Sequence, residues 1–323
     1  MRILVTDGMD KTAMAELREM GHEVVEQFYE PDQLGKALRD FDVVVVRSKT
    51  KVRANHIDEA KGSQLKLIIR GGVGVDNIDV DYAKANGIDV KNTPKASSQS
   101  VAELAMGHMF SCARYISIAG HTMREDKWEK KAYGKGIELQ GKTLGIVGFG
   151  RIGQHVGRIA GKGLGMKVIA YDPFLPPEIA KEQGVELVDL DTALAEGDVI
   201  SVHMNLTADN KYFFTKETFA KMKKHPIFIN EGRGEMVEEA ALKWALDEGI
   251  LRGAGIDMLE SEDPDLSKCV LIEDPPRKNL IINPHSGYWS DTSDYLVRKY
   301  SMENAMNYVW GIFDAVHDIR SRV

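Results

Sequence analysis

The residues with the clearest chemical meaning are three glycines in one turn. Gly148-Phe149-Gly150-Arg151-Ile152-Gly153 follows a short apolar run, Thr143–Val147, and opens an amphipathic one, Arg151–Gly163. G-x-G-x-x-G between a strand and a helix is built to hold the pyrophosphate of a dinucleotide. The first glycine makes the turn, the second lets backbone approach the phosphates, and the third lets helix and strand pack closely. The helix start adds free N–H groups and the positive end of its dipole. The next strand, Lys167–Tyr171, runs into Asp172, nineteen residues beyond Gly153. A carboxylate there accepts hydrogen bonds from ribose hydroxyls and repels a 2′-phosphate. The pattern predicts NAD rather than NADP, held by Gly148, Gly150, Arg151, Ile152, Gly153, Tyr171 and Asp172.

Such a turn needs a parallel sheet behind it. Val- and Ile-rich runs alternate with amphipathic stretches along the whole chain, the signature of repeated βα units. A first set of strands reads Ile3–Thr6, Glu23–Glu26, Val43–Arg47, Leu67–Arg70 and Asp89–Lys91, with helical patterns such as Lys11–Met20 and Asp79–Asn86 between them. A long helical stretch from Ser100 to about Ile116 leads to a second set: Thr143–Val147, Lys167–Tyr171, Val199–His203, Pro226–Asn230, Gly253–Asp257 and Leu280–Asn283. Helical patterns over Lys216–Lys223 and Glu238–Glu248 lie among them. A last amphipathic stretch, about Asp291 to Ile319, is long enough to cross back to the first set.

The chain has 323 residues, 43% hydrophobic and 28% charged, which suits about two globular domains. A net charge of −7 without a basic block makes nucleic acid and anionic membrane poor partners. No apolar run approaches the ~20 residues of a membrane span. The N-terminal apolar run is too short for a secretory signal. Two cysteines, Cys112 and Cys269, read as reduced thiols, so a cytoplasmic location is expected. The nine histidines show no H-x-x-x-H or Cys–His ligand spacing, and no metal is expected.

Six ordered stretches resemble the D-isomer-specific 2-hydroxyacid dehydrogenase family over almost the whole length. They are Gly72-Val73-Gly74-Val75-Asp76-Asn77-Ile78-Asp79, Ser100-Val101-Ala102-Glu103-Leu104, Gly141 through Gly153, Ile229-Asn230-Glu231-Gly232-Arg233-Gly234, Gly253-Ala254-Gly255-Ile256-Asp257 through Glu262, and Asn283-Pro284-His285. Arg47-Ser48-Lys49-Thr50 is similar to the phosphoglycerate dehydrogenase branch. The resemblance implies an α/β fold of two Rossmann-like domains. A doubly wound, parallel-sheet NAD-binding domain, residues 99–289, is inserted in a flavodoxin-like substrate domain, residues 1–98 plus 290–323. It also implies a homodimer formed through the NAD-binding domain. The chain leaves no room for the C-terminal regulatory domain of longer phosphoglycerate dehydrogenases, so feedback through such a domain is not expected.

The same resemblance implies the catalytic set. Reduction of a 2-keto acid needs a hydride facing C2, a proton for the carbonyl oxygen and a grip on the carboxylate. His285 is the general acid, because an imidazole titrates near neutral pH. Its carboxylate partner falls five residues after Asp257, at Glu262. The family often has proline directly after that glutamate, whereas here Asp263 intervenes, so Glu260 and Asp263 are rivals. Arg233 corresponds to the arginine that binds the substrate carboxylate and polarises the carbonyl through its planar fork. Consecutive amides at Val73 and Gly74 form an anion nest for that carboxylate. Asp257 corresponds to an acid near the nicotinamide carboxamide, and backbone at Glu231 and Gly232 lines the cofactor. Glu231 stands where a smaller residue is commoner. His203 either lines the cofactor pocket or is a plain strand-end histidine. Arg47, Ser48 and Lys95 are candidates for substrate specificity, and the two cations either bind a second anionic group or are solvated surface charges.

The expected activity is hydride transfer between NAD(H) and C2 of a D-2-hydroxy acid, with 3-phosphoglycerate or another doubly anionic acid as candidate. D-lactate, glyoxylate and hydroxypyruvate are alternatives. An alternative of another class is an NADH-sensing, corepressor-like interaction protein. A glutamate rather than a glutamine beside the histidine argues against formate as substrate.

Overall fold

The computed structural model describes residues 1–9, 11–261, 264–272 and 279–309. The chain divides into two compact units. One holds Met1–Ser97 with the described residues from Trp289 onward, and the other holds Ser98–Tyr288.

In the first unit five parallel strands form one sheet. They are β1 (Arg2–Val5), β2 (Glu23–Glu26), β3 (Val43–Val46), β4 (Leu67–Arg70) and β5 (Asp89–Asn92), in the order β2-β1-β3-β4-β5. That order is the flavodoxin-like one. Helices α1 (Lys11–Glu19), α2 (Pro31–Leu38), α3 (Ala54–Ala60) and α4 (Val80–Ala85) make the crossovers. All four valines of β3 are buried, as expected for a central parallel strand covered on both faces. Each such side chain contributes roughly 1.5–3 kcal/mol of burial. A terminal helix, Asp291–Val309, packs on β4 and α1 and places Ala305 in that core.

The second unit begins with α5 (Ser98–Arg114) and α6 (Ile116–Arg124). The sequence pattern predicts one helix from Ser100 to about Ile116. The structure breaks it at Tyr115, whose φ of 57° is left-handed, and starts a new helix at Ile116. Then follow β6 (Thr143–Val147), α7 (Arg151–Arg158), β7 (Lys167–Tyr171), α8 (Pro177–Glu182), β8 (Glu186–Leu187), α9 (Leu190–Glu196), β9 (Val199–Val202), α10 (Lys216–Ala220), β10 (Ile227–Asn230), α11 (Glu239–Asp247), β11 (Gly253–Ile256) and β12 (Leu280–Ile282). The terminal helix Asp291–Val309 is α12. The seven strands are parallel, in the order β12-β11-β10-β9-β6-β7-β8. Counted within the unit this is the doubly wound order 3-2-1-4-5-6 with one more strand at the far edge. The two-residue strand β8 carries too little pattern to be read from sequence.

No helix among the described residues is long and apolar enough to cross a membrane.

Candidate active site

Ligands of doubly wound sheets bind beyond the carboxyl ends of the strands. In the second unit those ends carry the Gly-rich turn after β6, Asp172 after β7, His203 after β9, residues 231–234 after β10, Asp257 after β11 and His285 after β12.

The three glycines do three different things. Gly148 sits at φ 94°, and a Cβ there would lie 2.8 Å from the Met204 nitrogen. A Cβ on Gly153 would lie 2.4 Å from the Gly148 carbonyl oxygen, so helix α7 could not approach β6 with any larger residue. At Gly150 a Cβ would meet nothing within 4 Å, so the turn faces open space where a pyrophosphate needs room. Asp172 accepts hydrogen bonds from the Phe149 and Phe174 N–H groups, both at 3.0 Å, which fixes its carboxylate against the glycine turn.

His203 follows β9 and is buried. Burial pulls its imidazole down to about 3, so the ring is neutral near pH 7. Nε2 shares a 2.8 Å hydrogen bond with Ser201 Oγ, while Nδ1 has no partner. A buried polar nitrogen without a partner is costly in an isolated protein.

Arg233 projects from a turn stapled by Asn230. Asn230 Nδ2 donates to the Arg233 carbonyl oxygen at 3.0 Å, and its Oδ1 accepts from Gly232 N at 3.0 Å. Gly234 is obligatory, because a Cβ there would stand 1.9 Å from the Leu259 carbonyl oxygen.

The Asp257 carboxylate is buried and accepts from Ser286 N and Gly287 N, each at 2.8 Å. Its carbonyl oxygen accepts from His285 N at 2.5 Å. These bonds hold His285 at φ 51°, a left-handed conformation uncommon for histidine. Backbone strain of this kind persists where surroundings over-determine it, and it clusters at functional sites. The half-buried imidazole meets Tyr288 edge-on, with centroids 6.3 Å apart.

Glu262, expected beside His285, lies outside the described residues, as does its rival Asp263. The other rival, Glu260, accepts a short hydrogen bond from the exposed Tyr212 hydroxyl, and its backbone N–H donates to Glu239 at 2.9 Å. That environment is a surface one.

In the first unit, Val73 and Gly74 belong to the turn after β4. Asn92 Nδ2 donates to the Val73 carbonyl oxygen at 2.7 Å, and Gly72 N donates to Thr93 Oγ1 at 2.8 Å. Arg47 lies 3.9 Å from Asp294 and over the Trp289 ring, 5.3 Å from its centroid. Lys95 is exposed. Sequence reasoning missed Arg70. It donates to Ser48 Oγ at 3.1 Å and to the Gly71 carbonyl oxygen at 2.5 Å. A Cβ on Gly72 would fall 1.5 Å from its Nη1, so Gly72 makes room for the guanidinium. The available signal was that neighbouring strands both run into arginine, Val43–Arg47 and Leu67–Arg70.

Residues 106–287 match the family model described as the NAD-binding domain of D-isomer specific 2-hydroxyacid dehydrogenases. The chain belongs to that family. It is an NAD-dependent 2-hydroxyacid oxidoreductase of the D-specific class. It is 46% identical over 289 residues to the hydroxypyruvate reductase of Thermotoga maritima, covering 88% of this chain and 91% of that one. It is 44% identical over 287 residues to the D-3-phosphoglycerate dehydrogenase of Methanocaldococcus jannaschii. The match covers 88% of this chain but 53% of that protein, so the chain spans about half the length of such relatives. Among solved structures it resembles Aquifex aeolicus D-lactate dehydrogenase complexed with NAD and lactic acid, with a TM-score of 0.85, 28% identity and 96% of each chain covered. The glycine turn, Asp172 and His203, at the carboxyl ends of β6, β7 and β9, are the residues that could hold an NAD molecule.

Proposed function

We propose that this dehydrogenase interconverts a D-2-hydroxy acid bearing a second anionic group, such as 3-phosphoglycerate, and the corresponding 2-keto acid. Bound nicotinamide supplies hydride to substrate C2 or takes it away. His285 gives the proton to the carbonyl oxygen and recovers it in the reverse direction. Glu262 orients the imidazole. Arg233 and the Val73 and Gly74 amides hold the carboxylate. Residues 99–289 serve the cofactor and residues 1–98 with 290–323 the substrate. The observation that carries the reading is the strained His285 turn, tied to Asp257 in the same sheet whose β6 carries the glycine turn.

Arg47 and Arg70, each at a strand end beside Ser48, favour the second anion. Asp294, 3.9 Å from Arg47, offsets part of that charge and favours an uncharged substituent, the reading the Thermotoga relative's name suggests. NADH oxidation with 3-phosphohydroxypyruvate, hydroxypyruvate, pyruvate and glyoxylate separates them. A kcat/KM higher for the phosphorylated acid than for hydroxypyruvate supports the first reading, and the reverse ratio supports the second. No oxidation with any of the four overturns the proposal.

Asp172 sets the cofactor preference. In Asp172→Asn an acceptor for Phe149 N remains while the charge is lost, so the NADH-over-NADPH ratio of kcat/KM should fall by about 10-fold, the worth of a charged hydrogen bond. An unchanged ratio removes Asp172 from the ribose site.

We also propose a homodimer in a reducing cytosol. Phe110, Ile116, Met123 and Trp128 are exposed large apolar side chains in or just after α5 and α6, and Trp128 is 79% exposed. The Cys112 thiol is buried and pushed up to about 12 by that burial, which keeps it inert. Light scattering should read twice the 35.9 kDa of one chain, and a monomer refutes the dimer.

A further inference from the structure

Behind the proposed catalytic residues lies an ion pair that the reaction does not use. His108, on α5, hydrogen-bonds through Nδ1 to Glu231 Oε1 at 2.7 Å. The side chains are 4% and 0% exposed. The other ring nitrogen, Nε2, is 3.3 Å from Asn283 Oδ1. Asn283 Nδ2 donates to Ser286 Oγ at 3.1 Å, and Ser286 N donates to Asp257. One imidazole therefore ties the segment after β10 to the segment after β12. Arg233 stands two residues beyond Glu231, and His285 two residues beyond Asn283.

The close approach that allows this is built into β11. A Cβ on Gly255 would sit 2.6 Å from His108 Cβ, so only glycine lets the helix ride this low. The charge state is also constrained. Burial pushes the Glu231 carboxyl up to about 7 against the pull of His108, with Asp257 adding to the rise and His285 opposing it. Burial lowers His108, but the Glu231 bond and charge, Asn283 and Asp257 together raise it. In both groups burial and the partner's charge oppose each other. Glu231 Oε2 has no partner. A buried pair of this kind is a poor source of stability, because apolar residues of similar volume usually serve as well or better. Its presence beside the proposed site calls for a reason other than stability.

The geometry points to His108 and Glu231 as a positioning pair that sets Arg233 and His285 in register through the Glu231–His108–Asn283 bridge. This rests on the roles proposed above for those two residues.

The decisive variant is His108→Leu with Glu231→Leu, which fills the volume and removes the bridge. Expected are a melting temperature at or above wild type, an NADH Kd within a few-fold, and a kcat lower by about 10- to 100-fold, the cost of a small misplacement. Glu231→Gln, which still offers His108 an acceptor, should recover most of the kcat lost in Glu231→Leu. A double variant with wild-type kcat overturns the inference, since a merely structural pair is dispensable. Should the double variant not fold, His108→Asn and His108→Gln decide. Asn mimics Nδ1 and keeps the Glu231 leg, whereas Gln mimics Nε2 and keeps the Asn283 leg. Reduced kcat in both supports the bridge, and wild-type kcat in both overturns it. Should the wild-type enzyme reduce no 2-keto acid, the proposed reaction falls, and the bridge is judged without turnover. The His285 imidazole NMR signal, assigned by its loss in His285→Asn, moves in the double variant if the bridge positions it. An unmoved signal overturns the inference.

Discussion

His285→Asn should lower kcat for keto-acid reduction by about 10³-fold, the usual weight of a positioned proton donor, while NADH still binds. Asparagine is the informative replacement because of the backbone. His285 is held at φ 51° by its own N–H to Asp257 and by the bonds from Ser286 and Gly287 to the Asp257 carboxylate. Asparagine tolerates the left-handed region better than other non-glycine residues, so the turn and the fold are preserved while the titrating ring is lost. Stopped-flow reduction at saturating NADH measures the step, and quenching or transfer of NADH fluorescence measures binding. If turnover stays within a few-fold of wild type, His285 is not the proton donor. If NADH binding is lost together with turnover, the residue serves cofactor binding rather than chemistry.

Arg233→Lys should lower kcat/KM by about 10²-fold with any substrate that carries a 2-carboxylate, of the order found when one fixed donor to a reacting oxygen is removed. Lysine keeps the charge but loses the planar fork that can hold a carboxylate and reach the carbonyl at once. The guanidinium adds a 2.9 Å bond from Nη1 to the Gly232 carbonyl oxygen, but Asn230 still braces the turn through the Arg233 carbonyl oxygen and the Gly232 N–H. The melting temperature should therefore stay close to wild type, and the loss should appear in kcat as well as KM. A pure rise in KM with unchanged kcat means that Arg233 binds substrate without polarising the carbonyl.

The two variants probe turns with different legibility. Arg233 sits in a local motif, Asn230 through Gly234, whose bonds span two or three residues, so the sequence carries all of its parts. The same holds for Gly148–Gly153, where strand, turn and helix are consecutive and each glycine's task follows from backbone sterics. Periodicity also revealed alternating strands and helices, because burial on both faces of a parallel sheet writes itself into runs such as Val43–Val46.

Other features depend on residues far apart in the chain. The strain at His285 is imposed by Asp257, 28 residues earlier, and only the neighbouring positions of β11 and β12 bring them together. The His108–Glu231 pair joins residues 123 apart. In sequence, Glu231 is an oddly large residue in a cofactor-lining turn, and His108 is one of nine histidines without ligand spacing. Their meeting follows from the closeness of α5 to β11 at Gly255. Arg70 likewise read as the end of a strand until Gly72 opened space for its guanidinium. The sequence by itself determined the chemistry this chain can host, because cofactor and catalytic motifs are local and sterically specific. Tertiary structure alone decided which distant groups hold those motifs in place, because burial and hydrogen bonding between separate strands leave no periodic trace in either partner.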